Sequence, residues 1–244
     1  SIKNDLESGR NVLFIGTPCQ VAGLKSFLRK PYESLFTIDF VCHGVPSQQL
    51  LNDIISHEYP DYRIDDLKID FRFKDKKGDS KYGIKLSDIN GACKFKETYP
   101  DSRYIAGFLG GMFYRESCYQ CHYTNSERVS DITLGDFWDK DKDYMEVGNN
   151  GLSMLLVNSA KGKFLLNTIY DRIRVKKANI DELVSRNAQL RHPIKRHHDY
   201  NSIKICYLNG GYNDIVNCAL DKEIDDIHRT LRKIKLANVL KQNA

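Results

Sequence analysis

Cys118 and Cys121 stand three positions apart in ESCYQCHY, close enough for both sulfurs to face one centre. Two thiolates alone serve a disulfide, half a zinc site or half an iron-sulfur site, so the chemistry depends on partners elsewhere. Cys19 in GTPCQ and Cys42 in VCHG supply them. Four thiolates suit a tetrahedral zinc or a 4Fe-4S cluster. Structural zinc sites usually draw on two close pairs. Here two single cysteines, 23 positions apart, join one pair that begins 76 positions after Cys42. Such scattered ligands favour a bulky cluster, with zinc and redox thiols as the competing readings. A thioredoxin-like motif would place its CxxC at a helix start after a strand, whereas this pair follows a helix-like stretch. Cys93, Cys206 and Cys218 lack neighbours at ligand spacing and read as small buried apolar residues.

The elements around these residues explain their aptness. Residues 11–16 (NVLFIG) form a short apolar run, broken by Thr17-Pro18 and followed by helical spacing through Leu28. The pattern repeats in residues 35–41 (LFTIDFV), a loop from Cys42 to Ser47, and a helix over 48–55 with Ser47 as N-cap. Two strand-loop-helix units in succession predict parallel strands with right-handed crossovers. Cys19 and Cys42 then occupy equivalent places past strand C-termini, where open α/β sheets bind ligands. There they also face helix N-termini, which favour the thiolate that ligates metals.

Residues 67–73 and 83–86 alternate and predict an antiparallel hairpin. Residues 102–113 read as a helix that delivers Cys118 and Cys121, 131–135 and 151–158 as strands, and 159–170 and 181–190 as helices. The final helix, residues 221–244, carries Ile224, Ile227, Leu231 and Ile234 on one stripe. The expected fold is α/β: a mixed sheet with parallel βα units at the N-terminal end, an antiparallel hairpin insertion and a C-terminal helical region. Residues 1–244 read as a single domain, without internal repeats or low-complexity linkers.

Composition narrows the function classes. The 244 residues are 41% apolar, enough for an ordinary core. Thirty-seven basic against 32 acidic side chains give a net charge of +5, dispersed along the chain, which argues against a nucleic-acid partner. No apolar run approaches the roughly 20 residues of a membrane span. Seven cysteines, an odd number at spacings that are wide except for one close pair, point to a reducing, cytoplasmic setting.

Several segments together, FIGTPCQVAGL, VCHGVPS, SCYQCHY, SDITLGDFW, GLSMLLVNSAKG and RNAQLRHP in that order, resemble the C-terminal domain of the coenzyme F-420 hydrogenase/dehydrogenase beta subunit family. The resemblance implies an oxidoreductase, an iron-sulfur flavoprotein that moves electrons between a 4Fe-4S cluster, FAD and a deazaflavin or other two-electron carrier or small organic substrate. The family's cysteine pattern falls on Cys19, Cys42, Cys118 and Cys121. Relatives often carry a ferredoxin-like segment ahead of this domain, and bacterial members with that layout occur near polysaccharide genes. This chain is therefore expected to be a piece of a longer protein, with a ferredoxin-like electron donor or N-terminal ferredoxin domain as partner. The competing class is a zinc-stabilised or cofactor-free domain that binds a partner in glycan assembly.

A flavin needs donors for its pyrophosphate, backbone close to its ring and a wall that excludes water. Gly135 allows close backbone approach, while Asp136 and the single tryptophan, Trp138, are placed to orient or cover a ring. The competing reading makes Phe137 and Trp138 core aromatics and Asp136 a cap. Gly151 and Ser153 lie in a polar loop entering a strand; the resemblance implies a place near the cofactor for them, and a tight turn is the competing reading. Asn187 and Gln189 precede a basic run, Arg191 to His198, in which Arg191 and Arg196 suit a phosphate; a solvated face is the plainer reading. His43 and His122 each follow a proposed ligand, as alternative ligands or as hydrogen-bond donors to a cluster, with a surface role the plainer reading for His122.

Overall fold

The computed structural model describes residues 1–74, 80–137 and 152–242. Its strands are Val12–Gly16 (β1), Leu35–Phe40 (β2), Leu67–Lys74 (β3), Ser80–Asp88 (β4), Cys93–Thr98 (β5), Ile132–Asp136 (β6) and Ser153–Val157 (β7). The α-helices are Ile2–Glu7 (α1), Pro18–Leu28 (α2), Gln48–Glu58 (α3), Arg103–Leu109 (α4), Ala160–Ile169 (α5), Ile180–Arg186 (α6), Tyr200–Gly210 (α7), Tyr212–Ile215 (α8) and Asp221–Gln242 (α9). The chain divides into two compact units, Ser1–His43 with Gln120–Ile194, and Gly44–Tyr119 with Lys195–Ala244.

The first unit is built on a four-stranded sheet of order β1-β2-β6-β7. β1, β2 and β6 run parallel, as the repeated strand-loop-helix pattern predicts, and β7 returns antiparallel to β6. Side chains alternate between the two faces. On one face Val12, Phe14 and Leu35 pack with Leu6, Leu24 and Leu28 of α1 and α2. The same face carries buried Thr37, Asp39 and Thr133, a polar layer inside an apolar unit. On the other, Leu13 and Ile15 are 52% and 60% exposed. Ser159 caps α5, its hydroxyl accepting from Gly162 N at 3.0 Å. Gly162 lets α5 approach closely, because a Cβ there would lie 2.0 Å from the Asp131 carbonyl oxygen.

The second unit pairs β3-β4-β5 as an antiparallel sheet. Its core includes Ile54, Ile55, Ile84, Leu86, Met112, Ile215 and Leu220, with α3 contributing Leu50, Leu51, Ile54 and Ile55 at helical spacing. The predicted hairpin is present and gains a third strand. β5 escapes a hydropathy reading because Lys94 and Lys96 flank its one apolar residue in that stretch, Phe95. The predicted helix over 102–113 is shorter: α4 ends at Leu109 with Gly110 as its C-cap, and Gly111 takes φ +69° to reverse the chain. Between α8 and α9 the backbone widens into a π-helical turn, Val216–Leu220. Among the described residues, no helix is long and apolar enough to cross a membrane.

Candidate functional site

Parallel strands place their C-terminal ends at one edge, and the reversal at β7 brings its first residue to the same edge. Gly16 pairs with Asp39, Phe40 with Leu134, and Asp136 with Ser153. The Val41 amide donates to the Leu134 carbonyl at 2.8 Å, carrying the β2 ladder to the residue before Cys42. Cys19 follows β1 as the second residue of α2 and is exposed; Cys42 is half-buried. Thr17 organises the first of these turns. Its amide and hydroxyl donate to the Gln20 side-chain oxygen at 2.9 and 3.0 Å, and its Oγ1 lies 3.1 Å from Cys19 Sγ.

Cys121 is held by a different device. The Thr124 hydroxyl donates to the Cys121 carbonyl at 2.8 Å, and the Asn125 amide to the His122 carbonyl at 2.9 Å. Arg128 closes this turn from below, donating through Nη1 to the carbonyls of Tyr123 and Asn125 at 2.8 and 3.2 Å. Its Nη2 lies 3.1 Å from Asp39 Oδ2, and its Nε donates to Thr133 Oγ1 at 3.2 Å. Thr133 in turn donates to Asp39 Oδ1 at 2.6 Å. The turn bearing Cys121 is thus tied to β2 three residues before Cys42. Sequence reasoning missed Arg128. The available signal was Asp39, an acid inside the apolar run LFTIDFV, since acids are almost never fully buried unless paired.

The remaining predicted residues fall in several places. Gly135 adjoins Asp136 at the sheet edge, and a Cβ there would meet Met154 Cε at 2.7 Å and Val41 Cγ2 at 2.9 Å. Asp136 is half-buried and Ser153 exposed; Trp138 and Gly151 lie outside the described residues. Asn187 is buried beneath β7, its amide donating to the Leu183 carbonyl at 2.9 Å and lying 3.7 Å from Met154 Sδ. Gln189 is half-buried in the short turn Ala188–Leu190, and Arg191 is exposed. Burial lowers the His43 pKa, favouring the neutral imidazole, whereas His122 is exposed.

Cys118 and Arg196 belong to the second unit. Cys118 closes the turn Glu116–Cys118, its amide donating to the Arg115 carbonyl at 2.9 Å. Arg196 pairs with Glu116, its guanidinium 5.2 Å from the Tyr119 ring centre and 4.8 Å from that of Tyr200. His197, His198 and Asp199 have ligand atoms within 4.8 Å of one another, and His197 Nε2 also lies 3.3 Å from Glu223.

The fold therefore gathers Cys19, Cys42, Gly135, Asp136 and Ser153 at one edge of a mixed sheet and ties the Cys121 turn to the strand leading there. Thiols in such a place are suited to soft-metal ligation. No curated protein matches the chain. Among solved structures, the F420-reducing [NiFe] hydrogenase complex from Methanosarcina barkeri, in a xenon derivative, is similar at 12% identity and a TM-score of 0.46. The match covers 85% of this chain and 66% of that one. Residues 9–183 match the family model for the C terminus of the coenzyme F420 hydrogenase/dehydrogenase beta subunit. On that match over most of its length, the chain belongs to the coenzyme F420 hydrogenase/dehydrogenase beta subunit family, whose name is that of redox enzymes.

Proposed function

We propose that the chain is the electron-transfer domain of an oxidoreductase, holding a 4Fe-4S cluster through Cys19, Cys42, Cys118 and Cys121 and FAD beside it. The observation that carries this reading is the shared sheet edge. Cys19 and Cys42 follow neighbouring parallel strands, and Asp136 and Ser153 meet in register at the same edge. The donor set fits a cluster: thiol sulfurs with a hydroxyl, Thr17 Oγ1, within hydrogen-bonding distance of one of them. When bound, the cluster supplies single-electron transfer and the flavin couples it to two-electron chemistry. The protein's part is to fix position and potential. Thr17 orients the Cys19 sulfur, and Arg128 with Asp39 holds the turn that carries Cys121.

For the flavin, Asp136 and Ser153 provide hydrogen-bonding groups at the edge, Trp138 and Gly151 complete the set, and exposed Arg191 offers a cation for the pyrophosphate. Gln189 stands near Arg191 in sequence, Gly135 lets Val41 and Met154 pack against the edge, and Asn187 supports β7 from below. Arg196 contributes through the turn containing Cys118, where it pairs with Glu116. Electrons would arrive from a ferredoxin-like donor and leave to a two-electron carrier or small organic substrate.

Anaerobic purification followed by iron, acid-labile sulfide and flavin analysis tests this. The parent chain should hold about four irons and four sulfides, Cys42→Ala should lose most of the iron, and Cys93→Ala should keep it. Zinc in place of iron in the parent, or undiminished iron in Cys42→Ala, overturns the ligand set.

A further inference from the structure

Two cysteines outside the proposed ligand set form a site of their own. Cys206 lies in α7 and Cys218 in the π-helical turn Val216–Leu220, and their sulfurs are 2.8 Å apart. That is roughly 0.8 Å beyond a disulfide bond of about 2.05 Å. Gly211, at φ +71°, reverses the chain between them, so that two thiols 12 positions apart face each other. The sequence predicts small buried apolar residues here, but Cys218 is exposed and Cys206 half-buried. Core packing therefore does not account for the pair. Ala219 and Leu220, the next two residues, are buried and anchor the turn from beneath. The wide backbone turn sets Cys218 toward α7; π-bulges of this kind recur at functional sites.

We propose that Cys206 and Cys218 are a redox modification site, closing reversibly to an intrachain disulfide by exchange with a small-molecule disulfide. Cys218 Sγ donates its hydrogen bond to Cys206 Sγ, which leaves the Cys206 sulfur as the accepting atom and the first nucleophile. The Cys206 thiolate attacks the external disulfide, forming a mixed disulfide and releasing one small thiolate. Cys218 then gives up its proton, attacks the Cys206 sulfur and expels the second small thiolate. Two protein thiols are oxidised, the external disulfide is reduced to two thiols, and the two protons leave with them. The bond joins α7 to the turn that opens into α9.

The test uses the full, reduced chain equilibrated in buffers of graded reduced and oxidised glutathione, then alkylated, digested and read by mass spectrometry. The expected result is one linked peptide pair containing Cys206 and Cys218, two hydrogens lighter than the reduced pair and restored by dithiothreitol. Cys206→Ser should instead carry glutathione on Cys218. Equal mixtures of isotope-labelled and unlabelled chains separate linkage within a chain from linkage between chains. Independent alkylation of both thiols at every ratio, separate glutathione adducts on each in the parent, or linked peptides of mixed label would overturn the proposal. The parent chain alone decides the matter, and the peptide readout does not depend on iron or flavin content.

Discussion

Arg128 and Asp39 form a 3.1 Å ion pair with side chains 2% and 0% exposed. The arginine is also bonded to two carbonyls of the Cys121 turn, and the aspartate accepts from Thr133. Taking both charges out of water is costly, and their mutual attraction with these extra bonds offsets that cost. Removing one partner leaves the other buried and unpaired.

Asp39→Ala should therefore destabilise the chain by about 3–5 kcal/mol, and Arg128→Ala by a similar amount. A double variant, Asp39→Leu with Arg128→Met, should recover much of the loss, since apolar replacements of similar volume often match a buried pair. Urea unfolding of the two single variants and the double variant gives the coupling directly. Additive losses would show that the two side chains act separately.

Asp131 accepts from the Thr37 amide and hydroxyl at 2.8 Å each and from Ser159 at 2.6 Å. Burial by itself would raise its pKa, but the Ser159 and Thr37 hydrogen bonds and the Lys161 charge outweigh burial and hold it below 3.8. A carboxyl with a depressed folded pKa adds stability above its unfolded pKa, and that stability is lost as pH falls through the folded value. Asp131→Asn should cost about 1–3 kcal/mol at neutral pH, with the gap to the parent closing in acid below that window. Comparing urea midpoints at neutral and strongly acidic pH reads this out.

Glu97 behaves in the opposite sense. Burial first, then the Glu58 charge, push its carboxyl up to about 7 from an ordinary 4.5, with Arg103 opposing. Between those values the folded state binds the extra proton, so stability falls as pH rises through the window and stays low above it. Glu97→Gln should raise Tm above the parent's in mildly alkaline buffer and bring no gain in acid below the window. An equal gain at both pH values would show that charge is not the cause.

Two helical glycines give a paired test. Gly162→Ala forces a Cβ to 2.0 Å from the Asp131 carbonyl oxygen, and should lower stability despite the roughly 1 kcal/mol that alanine gains in helix propensity. Gly23→Ala, in α2, meets nothing within 4 Å and should raise stability by about 0.5–1 kcal/mol. Thermal melts of the two variants are expected to move in opposite directions.

The sequence was legible where one signal decides local structure. Apolar runs broken by Thr17-Pro18 and by the loop after Val41 mark β1 and β2, and the repeated unit sends Cys19 and Cys42 to one edge. Ser159 is recognisable as a cap. β5 was not legible, because its lysines mask a strand that buries little of itself. α7, the π-helical turn and the opposition of Cys206 to Cys218 depend on a reversal at Gly211 and on burial of Ile215 and Leu220, neither of which leaves a periodic trace. Arg128 was illegible for a related reason: its partner Asp39 lies far away in sequence, and only the pairing of β2 with β6 brings Thr133 between them.

The antiparallel return of β7 limits what a change of chain length can cost. Because Asp136 and Ser153 face each other in register, the stretch between them leaves from and comes back to the same rim. Lengthening such a stretch twofold adds only about 0.6 kcal/mol of closure entropy, while five paired positions keep the strands aligned. Changes in the length of that stretch therefore cost little and leave the ladder beneath untouched.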